Sequence, residues 1–95
     1  MDREEARAIL APRLDQFRRR SYADLLALMG DVSILEAVGA SGTEYQIEIE
    51  VFWDDPREKK NLRVLGSIDD GRLPGAFLPV CDSFIVAPDG RFVGE

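Results

Sequence analysis

Histidine is absent from the chain, and cysteine occurs once, as Cys81. Without an imidazole there is no Ser-His-Asp or Cys-His nucleophilic site and no histidine metal ligand. One cysteine excludes an internal disulfide and leaves zinc without a thiolate set. Long apolar runs are missing too. The most evident, Leu25 to Met29, is far shorter than the roughly 20 residues that span a bilayer. Positive charge is scarce: 12 Lys and Arg stand against 18 Asp and Glu, a net of −6, which argues against a phosphate backbone as the principal partner. The charged opening Met1-Asp2-Arg3-Glu4-Glu5 is unlike a basic leader followed by an apolar signal core. With the lone cysteine, it predicts a cytoplasmic protein.

What the chain does contain suits one folded unit. Its 95 residues are 45% hydrophobic and 32% charged, enough for a single domain over 1–95 and unlike a disordered acidic tail. Asp2, with Glu5 three residues on, has the form of a helix cap. Ala6, Ile9, Leu10, Leu14 and Phe17 then recur within an arc of roughly 140° at 100° per residue. Pro12 falls on the opposite side of that wheel, where water can satisfy the carbonyl it leaves unpaired, so one bent helix is expected. Ser21 with Asp24 repeats the cap signal ahead of Leu25, Leu26, Leu28 and Met29, and Gly30 closes a short second helix over about 22–29.

The remainder reads as strand. Residues 32–38 are rich in branched side chains, and 39–43 form a turn. Between 44 and 53, Tyr45, Ile47, Ile49, Val51 and Trp53 alternate with Glu44, Gln46, Glu48 and Glu50. A charged connection over 54–60 leads to Leu62, Val64 and Ile68, alternating with Arg63 and Ser67. Phe84–Ala87, a Pro88-Asp89-Gly90 turn and Arg91–Val93 signal a last hairpin. Short connections favour antiparallel neighbours. The expected class is α+β: a bent N-terminal helix and a short second helix packed on a curved antiparallel sheet of about four to five strands.

The stretch Phe17 to Asp31, with Arg18-Arg19-Arg20-Ser21 before an acidic-leucine helix and a closing Asp31, resembles the nuclear-transport-factor-2-like branch of the cystatin-like superfamily. That resemblance implies a cone-shaped pocket between helix and sheet, frequent dimers and diverse functions. Members of that branch are usually longer, and many carry polar or histidine residues inside the pocket. The inward strand face here offers only the Tyr45 hydroxyl and the Trp53 indole.

Several constellations have plain structural explanations. Asp54-Asp55 with Glu58, Asp69-Asp70-Gly71 and Asp89-Gly90 lack the alternating spacing of a calcium loop and read as turn chemistry, so no metal and no cofactor is expected. Cys81 has a carboxylate beside it rather than a cation and reads as a small buried hydrophobe. Arg18-Arg19-Arg20 sits at a helix C-terminus, where the dipole favours cations and a carboxylate is the natural target. Residues 1–20 carry six arginines and four carboxylates, and residues 21–95 carry six basic and fourteen acidic residues. Glu48 and Glu50 read as the solvated sheet face, with Arg63 opposite on the next strand.

Two features point outward. Arg13 lies inside the apolar arc of the first helix, and with Tyr22, Tyr45 and Trp53 could line a pocket for a small anion. The stretch 72–81 is long, apolar and without period, so Arg72, Leu73, Phe77, Leu78 and Val80 are candidates for an interface or for a lid over the core. The sequence therefore predicts a binding or assembly module rather than an enzyme, acting through the sheet or the 72–81 loop as a homodimer, with no nucleic-acid or membrane partner. The alternative is a small-molecule pocket protein or enzyme of the nuclear-transport-factor-2-like type.

Overall fold

The computed structural model describes residues 1–71 and 79–95. Helix α1 spans Arg3–Arg18, α2 spans Tyr22–Ala27, and four strands follow: β1 Val32–Val38, β2 Glu44–Trp53, β3 Leu62–Asp69 and β4 Val80–Val86. Both caps form as their spacing predicts. The Asp2 side chain accepts from the Glu5 N–H, and the Ser21 side chain accepts from the Asp24 N–H. Pro12 lies within α1 on its exposed face. Gly30, at φ +88°, adopts the left-handed conformation that lets the chain turn into β1.

The sheet is an antiparallel meander in the order β1-β2-β3-β4. Both helices lie on one side of it, so the molecule is a two-layer α+β fold. Alternation along β2 sends Tyr45, Ile47, Ile49 and Val51 into the core, where they meet Ala6, Leu10, Leu14, Phe17 and Leu25 from the helices. Leu62, Val64 and Ile68 of β3 and Val80, Phe84 and Val86 of β4 complete it. The inward place between Val64 and Ile68 is Gly66. A β-carbon there would stand 3.0 Å from Leu10 Cδ1 and Leu14 Cδ2, so its absence lets α1 settle on the sheet.

The helix layer is off-centre. Helix α1 rests on β3 and β4, touches β2 less, and leaves β1 at the margin. The two free edges differ accordingly. Beyond β4 the chain turns back, with Phe92 bridging Val86 and the Val93 N–H donating to the Ile85 carbonyl at 2.9 Å. Residues 91–93, expected as a strand, make only that bridge.

Three expectations change with the register. Val80 is not a loop residue: it opens β4, pairs with Ile68 and is 2% exposed in the core. Cys81, its neighbour, must then point to the other side, and it is exposed rather than buried. Arg63 faces Phe52, not Glu48 or Glu50. Its Nε and Nη2 donate to Asp54 Oδ1 at 3.1 and 2.9 Å, and its Nη1 donates to Ser83 Oγ at 3.0 Å. Arg72, Leu73, Phe77 and Leu78 lie outside the described residues.

Candidate interaction surface

The four candidate pocket residues do not converge. Tyr45 and Trp53 share a face of β2 but stand eight residues apart, about 26 Å at 3.3 Å per residue, too far to hold one small ligand. Tyr45 is buried at the hairpin end of the sheet beside the start of α1. Its hydroxyl is enclosed, with no hydrogen-bond partner among the described residues, and burial, followed by the nearby carboxylates of Glu5, Asp2 and Asp70, raises its pKa above the ordinary tyrosine value. Trp53 packs half-buried at the far end, where the Tyr22 hydroxyl donates to the Lys60 carbonyl at 2.6 Å. Arg13 is half-buried on α1 and forms no hydrogen bond or ion pair among the described residues.

Grooves that the described residues line are open and small, from about 210 to 330 Å³. None of these four takes in Arg13, Tyr22 or Trp53. Among the described residues, fifteen buried apolar side chains fill the layer between helices and sheet, and no three carboxylates or thiols are grouped to hold a metal.

The uncovered side of the sheet has more chemistry to offer. Pairing of Val32 with Glu50, Ile34 with Glu48, Glu36 with Gln46 and Val38 with Glu44 places all eight side chains on the face away from the helices. On β1 this yields an apolar row: Val32, Ile34 and Val38 are 49%, 60% and 69% exposed. On β2 it yields an acidic row of Glu44, Glu48 and Glu50, with Glu36 alongside on β1. Among the described residues none of these four carboxylates has an ion-pair or hydrogen-bond partner. Among the described residues the one cation on this face, Arg63, is already held by Asp54. Near the hairpin, Glu36, Val38 and Glu44 border a groove of about 210 Å³ with Asp70.

Backbone groups of β1 add to this. The Gly39 N–H donates to the Thr43 carbonyl at 2.9 Å, which sets the phase of the β1–β2 ladder. Antiparallel pairs alternate, so Ser33, Leu35 and Ala37 bond to β2. The N–H and C=O groups of Val32, Ile34, Glu36 and Val38 point instead to the open edge. Proteins blunt such edges with proline, lysine, bulges or inward-facing charge. Strand β4 has an inward-parity charge in Asp82, opposite Gly66, as well as the covering C-terminal segment. The sequence of β1, Val-Ser-Ile-Leu-Glu-Ala-Val, has none of these devices.

The sequence reading identified the acidic row but missed the apolar one, because a run such as 32–38 looks like a strand covered on both sides. Its signal lay in size: the inward positions Ser33 and Ala37 are small, while the outward Val32, Ile34 and Val38 are large. Comparison with family models, with curated proteins and with solved structures gives no match, so the surface is read from this chain's own geometry.

Proposed function

We propose that this protein is a non-catalytic binding or assembly module that works through the uncovered side of its sheet. One observation carries the reading: an acidic row without partners among the described residues lies beside an edge strand whose apolar side chains and backbone groups are open to solvent. Such an edge accepts an extended segment by main-chain pairing, and the side chains beside it select among segments. Unpaired carboxylates on Glu48 and Glu50 favour a segment that alternates basic and apolar residues. The filled layer between helices and sheet supports this reading over a small-molecule pocket.

An array of short extended peptides tests it. Peptides alternating Lys or Arg with Val, Ile or Leu should bind, and Glu48→Lys with Glu50→Lys should weaken them at least about tenfold. Binding indifferent to both substitutions, or a small molecule retained by the purified protein in native mass spectrometry, would overturn the proposal.

A further inference from the structure

We infer that the β1 edge pairs with β1 of a second copy of this chain, making one continuous eight-stranded sheet across a two-fold axis at Leu35. The inference rests on reading the sheet as a binding surface: the open edge takes a second copy by main-chain pairing, in competition with the basic-apolar segments that Glu48 and Glu50 favour.

An isologous contact between two identical edges requires the axis to stand perpendicular to the sheet, which makes the strands antiparallel and keeps outer faces together. Residues of like parity must then face each other. Centring on Leu35 pairs the whole strand: Val32 with the partner's Val38, Ser33 with the partner's Ala37, Ile34 with the partner's Glu36, and Leu35 with the partner's Leu35. The open-edge residues Val32, Ile34, Glu36 and Val38 become the hydrogen-bonded positions, supplying up to about eight main-chain bonds. Moving the centre to Glu36 sets two carboxylates directly opposite, which is unfavourable. Moving it to Ile34 leaves Val38 unpaired. The Leu35 register therefore pairs the whole strand, sets Val32 against the partner's Val38 and keeps carboxylates from direct opposition, with Ile34 beside the partner's Glu36.

Glu36 lies diagonal to the partner's Glu36 across the seam, about 8 Å away, and the other carboxylates stand farther off. The two acidic β2 rows would stand three strand spacings apart, about 14 Å, well beyond the ~8 Å screening length at physiological salt. Because the axis stands perpendicular to the sheet, Val32, Ile34 and Val38 keep their outer surface in solvent and bury only their flanks with the edge backbone, less than the ~1,000 Å² of a standard interface. A contact of that size fits a weak, reversible dimer rather than an obligate one. On β4 the C-terminal segment covers residues 85–87 and Asp82 sets a charge of inward parity ahead of them, which directs the pairing to β1.

Sedimentation velocity of the full chain from about 1 to about 500 µM should show a monomer–dimer equilibrium. Ile34→Glu opposes the partner's Glu36 twice and should weaken the dimer at least about tenfold, whereas Ile34→Lys meets the same carboxylates and should preserve or tighten it. In a Cys81→Ser background, Leu35→Cys should form a symmetric intermolecular disulfide, because directly opposed residues at a non-hydrogen-bonded position lie about 4.5 Å apart at Cα. Should Ile34→Glu fail to fold, this cross-link decides the matter. A protein monomeric at the highest concentration, equal effects of the two Ile34 substitutions, or a dimer that does not cross-link at residue 35 would each overturn the inference. A monomer that still binds basic-apolar peptides through Glu48 and Glu50 leaves the broader reading standing, so the two fail separately.

Discussion

Gly66 on β3 lies directly beneath Leu14 of α1, close enough that a single added carbon would come within 3.0 Å of the leucine Cδ2 and 3.2 Å of its Cγ. Leu10 closes the same spot from one turn earlier, with its Cδ1 also at 3.0 Å. The helix is seated on the sheet at this point.

Gly66→Ala should therefore cost about 1–3 kcal/mol by overpacking. Leu14→Ala in the same chain makes room for the new methyl group, so the double variant should lose less than the sum of the two single losses. Urea unfolding midpoints check both statements. Strict additivity would mean that the two side chains do not meet.

Tyr45 links stability to alkaline pH. Its folded pKa is raised above the ordinary value of 10.0, first by burial and then by Glu5 and Asp2. The folded protein thus keeps a proton that the unfolded chain has released. Stability is fully present below pH 10 and declines as pH rises through that value toward the folded pKa. Tyr45→Phe should abolish this decline, and at neutral pH it should cost little, since no side chain among the described residues stands within hydrogen-bond distance of the hydroxyl. Unfolding midpoints of the two proteins between about pH 8 and 11 decide it. Identical alkaline slopes would refute the assignment.

Arg18 fastens the C-terminal segment. Its Nη1 donates to both Glu95 carboxylate oxygens at 2.7 and 2.8 Å, and its guanidinium lies 4.9 Å from the Phe84 ring centre and 5.1 Å from that of Phe92. Those two rings meet edge to face at 5.7 Å. Arg18→Ala should lower stability by about 1–2 kcal/mol and speed hydrogen exchange at the Val93 amide. Arg18→Lys should recover only part, because an ammonium cannot lie flat against two rings. Unchanged exchange at Val93 in Arg18→Ala would show that the segment holds without the arginine.

Cys81 faces solvent, so a maleimide should label it in the folded protein without denaturant. Cys81→Ser should stay within about 0.5 kcal/mol of the parent, as surface substitutions do. A larger loss in the unfolding curve would return the thiol to the core.

Alternation made β2 and β3 legible in the sequence, and the capping pairs Asp2 with Glu5 and Ser21 with Asp24 marked both helix starts. The same logic misplaced Cys81 because β4 begins one residue before it, inside a stretch dense with proline and glycine where no period shows. Arg63 was matched to the wrong carboxylates because pairing depends on the length of the 54–61 connection. That segment carries Lys59 at φ +52° and closes with the Asp54 N–H donating to the Asn61 carbonyl at 2.9 Å. The candidate surface was the least legible part. Ile34 stays uncovered because both helices pack on the other face of the sheet, and the face they take follows from β2 and β3 rather than from β1 itself.

The off-centre seat of α1 also has a consequence during synthesis. The helix leaves the ribosome first, yet the strands beneath it, β3 and β4, leave last. From the end of α1 to the end of β4 the chain grows by 68 residues, roughly 3–14 s at 5–20 residues per second. Throughout that interval Leu10, Leu14 and Phe17 lack most of the surface they bury against, while the β1–β2 hairpin can close within microseconds of emerging. The nascent chain therefore carries a finished hairpin and an uncovered amphipathic helix at the same time, and α1 can settle only when Gly66 and the residues of β4 have been made.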